Sequence, residues 1–436
     1  MTESMSRREQ YMEQAHAEDG KCVFFLEGRI VQENAKSLER ELHNLLEVLP
    51  EQDLILDALR LDYISSKGLR TLLELIRKSA GKLTIRNASE AVYSTLETAG
   101  ITDLVDVEAL FEGAPPNDST HQPEARRRTK ALRSVATDSS QIIGMGRSSV
   151  VYLLDSETLV KKYDGLVPIE KIYQEMDRAR SAFVYGIPTA MPLELVKVDD
   201  SYGIIFERIA PADTVGHTIT KHMERFDEIT RKYTELLRQI HHTPLGEDAC
   251  FPAQKDTWLE WVEGMKPHYN AAETGFLREM VEGIPDRNTM VHCDFHENNV
   301  LVTGDDLVLI DMVDVGHGHP VFDLAGGAFR AHVSLIPGRH AHHGLSADTM
   351  QQFWKVVVSQ YFGTDDPGEL GEILDMCHAF GLVRSALFPM KHVHIGDNLK
   401  RIHIDDARRN LFPRQDWAFR QLENLERFFP DDSGQV

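Results

Sequence analysis

The sequence predicts an α/β layer, a small sheet with packed helices, followed by a two-lobed α+β domain whose second lobe is mostly helical. Three observations carry this. Strand-like runs and amphipathic helices alternate from Cys22 to Gly100, the pattern of helices packed on a sheet. At Ile142 the chain turns to β-rich runs around a glycine turn. From Phe226 to Phe429 apolar residues recur at helical spacing, interrupted by one hairpin pattern near Asp305.

In the first region CVFFLEGRIV, from Cys22, reads as a strand broken by Gly28. Leu38, Leu42, Leu45 and Leu46 then share one helical face. Asp53 to Asp57 reads as a buried strand, and SSKGLRTLLELIRKSAG as a helix with Leu69, Leu72, Leu73 and Ile76 inward. Lys82 to Arg86 is another strand, and EAVYSTLETAG a helix closed by Gly100. Nothing here forms a catalytic constellation, so the region reads as a protein-interaction module. Ser65 and Ser66 stand at a helix N-terminus, where hydroxyls cap free N–H groups and a phosphate is tolerated. Capping is the simpler reading.

A chain of 436 residues suggests about two or three domains. Its formal net charge of −22 argues against non-specific binding to nucleic acid or to an anionic membrane. No apolar run of ~18 residues and no signal-peptide core occurs. Cys22, Cys250, Cys293 and Cys377 are scattered without a CxxC pair, so a reducing cytoplasm is expected. Pro115-Pro116 and the polar run from Gly113 to Thr137 mark a linker. Arg126, Arg127, Arg128 and Lys130 make it locally basic, which reads as a solvated segment or a helix start, with docking on an acidic face of either domain as the alternative.

The β-rich lobe carries Gly144-x-Gly146-x-x-Ser149 between two strands, a turn whose backbone N–H groups can approach phosphates. The strand Leu159 to Tyr163 supplies a lysine for the phosphates. Lys161 alternates with apolar Val160 and is preferred, with Lys162 on the other side. The helix IEKIYQEMDRARSAF buries Ile172, Met176, Ala179 and Phe183, so Glu175 leans inward while Glu170 and Gln174 look outward. A Lys161–Glu175 ion pair would fix the lysine on a nucleotide. Further on, Glu207 to Ile209 would meet an adenine through backbone groups, with Phe206 and Ile209 as apolar walls.

The stretch VHCDFHENNVLVTGDDLVLIDMVDVG holds His292-x-Asp294-x₄-Asn299, two short strands and then Asp311. Folding the hairpin symmetrically about Asp305 brings Asn299 and Asp311 opposite each other. An amide oxygen and a carboxylate there could share a hard cation such as Mg²⁺. Asp294 could accept a proton from an attacking hydroxyl. These are the parts phosphoryl transfer needs, although polar residues that merely cap a hairpin would use the same types. His292 is expected to orient the loop, and Asp314 and Asp323 to organise the loop and the helix after it. His241 and His242 are expected to cap or line the end of their helix. His340, His342 and His343 lack the Cys or carboxylate pairing that would support a metal site.

Two resemblances rest on these residues. The run LILDALRLDYISSKGLRTLL resembles the STAS domain, the fold of anti-sigma factor antagonists, over about residues 20 to 110. Those antagonists carry a phosphorylated serine immediately before the glycine, whereas Lys67 precedes Gly68 here. Residues ~140 to 430 resemble the aminoglycoside phosphotransferase and choline kinase-like family through the Gly144/Gly146 loop, Lys161, Glu175, HCDFHENNVLV and LIDMVDVG. The resemblance implies a protein-kinase-like fold in which Asp294 is the catalytic base, Asn299 and Asp311 hold Mg²⁺, and Lys161 with Glu175 positions ATP. The chain departs from the family at Cys293, where glycine is common, and at Glu297-Asn298, where Pro-Gly is usual.

The expected organisation is therefore a STAS-like regulatory domain at 1–112, a linker at 113–137, a nucleotide-binding lobe at 138–210 and a helical catalytic lobe at 211–436. The expected activity is ATP- and Mg²⁺-dependent phosphotransfer to the hydroxyl of a small molecule, with a protein partner engaged through the STAS domain. Two alternatives keep the fold: a protein kinase acting on a serine such as Ser65 or Ser66, and a nucleotide-gated signalling protein with no acceptor.

Overall fold

The structure is a computed structural model describing residues 15–18, 21–48, 53–79, 83–111, 132–146, 148–246, 250–336, 344–391 and 395–430. Pro115, Pro116, Arg126, Arg127, Arg128, Lys130, His340, His342 and His343 lie outside the described residues. The chain divides into two compact units, Met1–Ile209 and Ala210–Val436.

The first unit opens with a five-stranded sheet in the order β1 (Ala15–Glu18), β2 (Lys21–Ile30), β3 (Leu54–Ile64), β4 (Leu83–Ala88) and β5 (Asp106–Ala109). Only β1 and β2 are antiparallel; the other pairs are parallel and therefore need the crossover helices between them. These are α1 (Gln32–Val48), α2 (Ser66–Lys78) and α3 (Glu90–Thr98). Leu69, Leu72, Leu73 and Ile76 of α2 are buried, as its spacing predicts. β3 runs to Ile64, well past the end expected at Asp57. Bulges at Phe25/Glu27 and Gly28/Arg29 shift its register and let Arg60 to Ile64 keep pairing with β2.

The same unit contains a six-stranded sheet in the order β6 (Ser134–Val135), β10 (Pro192–Val198), β11 (Ser201–Glu207), β9 (Thr158–Tyr163), β8 (Ser149–Leu153) and β7 (Ile142–Met145). Helix α4 (Ile169–Val184) buries Ile172, Glu175, Ala179, Ala182 and Phe183. Phe183 and Met191 belong to the same apolar cluster as the core of the first sheet, so the two sheets of this unit share one interior.

The second unit is mostly helical. It comprises α5 (Val215–Lys221), α6 (Phe226–His241), α7 (Gln254–Gly264), α8 (Ala271–Glu282), α9 (Val321–Ser334), α10 (Ala347–Phe362), α11 (Pro367–Lys391), α12 (Asp397–Asn410) and α13 (Gln415–Phe428). The stripe Phe226, Ile229, Tyr233, Leu236, Leu237 and Ile240 faces inward, as expected. Helix α11 is long and apolar enough to cross a membrane, yet it is a core helix here, with residues from Phe380 to Pro389 all buried. Short strands β12 (Asp213–Thr214), β14 (Val300–Thr303) and β15 (Asp306–Leu309) form one sheet, and β13 (Met290–Val291) pairs with β16 (Gly316–His317).

Candidate active site

In the first unit, the turn between β7 and β8 is closed by Gly146 N donating to Ser149 O at 2.8 Å. Gly144 lies opposite Val151, which in turn pairs with Lys161 on β9. Lys161 Nζ donates to Glu175 Oε1 at 2.6 Å, and Tyr163 Oη donates to Glu175 Oε2 at 2.7 Å. Glu175 is only 1 % exposed, so both of its oxygens are fixed by strand β9. Lys162 points the other way, to Asp199 at 2.6 Å. Glu207, at the end of β11, donates its backbone N–H to Met191 O at 3.0 Å. Its carboxylate turns toward α2, accepting from Met191 N at 2.9 Å, Arg70 Nη2 at 3.2 Å and Ser66 Oγ. Burial raises the Glu207 carboxyl above its ordinary range in spite of Arg70. Ile209 is half-buried just beyond.

In the second unit, the loop between β13 and β14 presents His292, Asp294 and Asn299. Asp323, at the start of α9, accepts from His292 N at 2.8 Å and Cys293 N at 2.6 Å, with His241 Nε2 at 3.1 Å. Asp294 N donates to His292 Nδ1 at 3.3 Å, which assigns the ring proton to Nε2. Asn299 Nδ2 donates to Asp294 O at 3.0 Å, so its amide oxygen is the atom left for a cation. The hairpin register pairs Val300 with Leu309 and Thr303 with Asp306, and Ile310 N donates to Asn299 O. The turn is thus two residues long, and Asn299 lies opposite Ile310. This corrects the symmetric fold about Asp305, which put Asp311 there. Asp311 stands one residue further on, in the left-handed region with φ 64°, and Cys293 also has φ 64°.

Asp294 is 27 % exposed and is gripped from α11: Lys391 Nζ reaches Oδ1 at 2.7 Å and Arg384 Nη2 reaches it at 3.1 Å. Lys391 also bridges to Asp314 at 2.8 Å. Burial pushes the Asp294 carboxyl up, but Lys391, His296 and Arg384 outweigh it and hold the group well below the usual carboxylate range. It is a permanently ionised carboxylate at neutral pH.

Comparison with known proteins matches residues 140–337 to the phosphotransferase enzyme family and residues 13–114 to the STAS domain. A Bordetella bronchiseptica protein, BtrV, named as an anti-sigma factor antagonist, is 32% identical over 108 residues, 24% of this chain and 92% of its own. The chain joins a STAS domain to a phosphotransferase-family domain. Among solved structures, a choline/ethanolamine kinase family protein from Mesorhizobium loti aligns with TM-score 0.40 and 15% identity over 71% of this chain and 92% of its own. The streptomycin–ATP–APH(2")-IIa ternary complex aligns with TM-score 0.42 and 13% identity over 66% and 95%.

The departures of the phosphotransferase domain have local explanations. Cys293 occupies a positive-φ position, where glycine is the unstrained choice. Burial pushes its thiol well above the ordinary value, so it is an inert side chain. Glu297, in place of the usual proline, is 2 % exposed and paired with Arg330 of α9 through both oxygens. Sequence reasoning missed Arg330, Arg384 and Lys391. The available signal was charge inside an apolar helix: Arg384 interrupts GLVRSALF, and such a residue is buried only with a partner.

Asn299 and Asp311 offer hard oxygen donors, the chemistry Mg²⁺ prefers. Among the described residues no group of three or more His, Cys, Asp and Glu gathers into a cage.

Proposed function

We propose that this protein is an ATP- and Mg²⁺-dependent phosphotransferase that acts on the hydroxyl of a small molecule in the cytoplasm, with the STAS domain as its regulatory, partner-binding part. The observation that carries this reading is Asp294. Two buried cations hold a partly exposed carboxylate ionised, beside an amide that fixes its backbone, and a hairpin cap needs neither cation.

Both cations bond Oδ1, while Oδ2 meets the weaker contacts of Asn299 Nδ2 at 3.4 Å and His296 Nε2 at 3.6 Å, so Oδ2 is the oxygen more readily turned to an acceptor's proton. A carboxylate with a depressed pKa is a weak base. That suits phosphoryl transfer through a loose transition state, where the acceptor needs orientation more than early deprotonation. Lys161, held by Glu175, would bear on the nucleotide phosphates, and the Gly144–Gly146–Ser149 turn would lie over them. Asn299 and Asp311 would hold Mg²⁺, which when bound neutralises charge on the transferred group. Ser65 is occupied in capping Gly68 N, and Ser66 bonds Glu207, so neither hydroxyl favours the protein-kinase reading.

The test is ATP turnover with Mg²⁺ across a panel of small hydroxyl compounds, with Asp294→Asn as the control. Acceptor-dependent turnover is expected to fall by about 10²–10⁴ in the variant while ATP binding persists. Equal turnover in the two proteins would remove Asp294 from the reaction.

A further inference from the structure

The STAS helix α2 is amphipathic in an unusual way. Its apolar face fills the domain core, but Ser66, Arg70 and Arg77 form a polar stripe within roughly 40° of one another at 100° per residue. All three are engaged by the nucleotide lobe of the same unit. Ser66 Oγ and Arg70 Nη2 bond the Glu207 carboxylate, Arg70 also donates to Thr189 O at 3.2 Å, and Arg77 donates to Val184 O. Arg70 lies 5.5 Å from the Phe183 ring centroid. Two glycines leave room for side chains from across the contact. A Cβ on Gly186, at φ +84°, would strike Arg77, and one on Gly100, at φ +73°, would come within 2.9 Å of Val184.

The groups gripped are not arbitrary. Val184 ends α4, the helix that carries Glu175. Glu207 ends β11, whose Ile204 pairs with Lys161 on β9. The STAS domain therefore holds the far ends of the two elements that set the Lys161–Glu175 pair, and that pair is closed in the docked arrangement.

We propose that the Ser66–Arg70–Glu207 contact is an intramolecular latch through which the docked STAS domain keeps the nucleotide lobe in its binding-competent arrangement. Opening it, by a partner that takes the start of α2, lowers nucleotide affinity. The coupling rests on the proposed nucleotide-binding role of Lys161 and Glu175.

The experiment uses the full chain, with Mg²⁺–ATP affinity by titration calorimetry and hydrogen exchange along α2, α4 and β11. Arg70→Glu and Glu207→Arg each place like charges in the contact, and the double variant restores an opposite pair. Each single variant is expected to bind ATP about tenfold more weakly, with faster exchange at the start of α2, and the double variant to recover both. Ser66→Asp, which sets a carboxylate against Glu207, is expected to act like the single variants, and Ser66→Ala, which loses one hydrogen bond and keeps the Arg70 pair, to fall between them and wild type; this covers the case of a charge swap that does not fold. Single variants that speed exchange yet bind ATP with wild-type affinity would overturn the coupling alone. A wild-type chain that does not bind ATP would overturn the nucleotide reading, and the coupling with it.

Discussion

Lys391→Met isolates the charge arrangement around Asp294. Lys391 is 5 % exposed and bridges two carboxylates, Asp294 at 2.7 Å and Asp314 at 2.8 Å. Removing one partner of a fully buried ion pair costs about 3–5 kcal/mol. Asp294 and Asp314 are 27 % and 28 % exposed, so water recovers part of this. Arg384 also remains on Asp294 at 3.1 Å. A loss of about 2–3 kcal/mol is the expected size, or a fall in melting temperature of about 5–10 °C. The pH dependence has a definite sign. Asp294 has a depressed pKa, so its stabilising contribution is complete above the unfolded value near ~4 and disappears only as the pH falls through the lower folded value. Without Lys391 its charge instead faces Asp314 and is unfavourable at neutral pH, a penalty that protonation relieves. Thermal unfolding of both proteins by calorimetry at neutral pH and near pH ~4 should therefore show a gap that narrows in acid. A gap below about 1 °C, or one that is unchanged in acid, would refute this account of the cluster.

Two further outcomes test the Lys161–Glu175 pair and the backbone at Cys293. Glu175→Gln removes the charge that anchors Lys161 but keeps the shape. ATP affinity by calorimetry should fall about tenfold, together with a stability loss of about 1–3 kcal/mol, because Lys161 loses the charge of its buried partner. At Cys293, with φ 64° and 3 % exposure, Cys293→Gly should keep turnover and stability within about 1 kcal/mol, since lost packing offsets relieved backbone strain. Cys293→Val should cost about 2 kcal/mol or more, because a β-branched side chain is poorly tolerated there. Denaturant unfolding of the two variants measures the difference.

What the sequence shows and what it hides divide along a physical line. Burial periodicity is local, so the stripe Phe226 to Ile240 and the inward face of α2 could be read directly. The inward lean of Glu175 comes from the same reasoning, because Ile172 and Ala179 flank it on one helical face. Strand ends are less legible: β3 keeps pairing with β2 past Asp57 through extra residues of its own, between Asp57 and Arg60 and between Leu61 and Tyr63, and such a bulge leaves no periodic trace. Hairpin centres are uncertain by one residue for the same reason, which is why Asn299 meets Ile310. Least visible are partners separated by long stretches of chain. The Glu207 side chain goes to Ser66 and Arg70, and Asp294 goes to Lys391 and Arg384; spacing encodes neither.

The remote partners explain how an irregular loop stays in one conformation. Left-handed backbone at a non-glycine residue is unfavourable by about 1 kcal/mol or more and persists only where its surroundings over-determine it. Cys293 meets that condition from both sides: its N–H is taken by Asp323 at 2.6 Å and its carbonyl by Arg384 at 2.7 Å. Asp323 comes from α9 and is backed by His241 from α6, while Arg384 comes from α11. Glu297, on the same loop, is tied to α9 again through Arg330. Three helices thus fix the direction of the peptide units on either side of Cys293, and that direction aims Asp294. The buried charges of this lobe are costly in isolation. Glu297, Asp323 and Arg384 each belong to or end on the loop, which is the pattern expected if they are retained for the aim of Asp294 and not for the stability of the fold, whereas Asp406 is buried against His332.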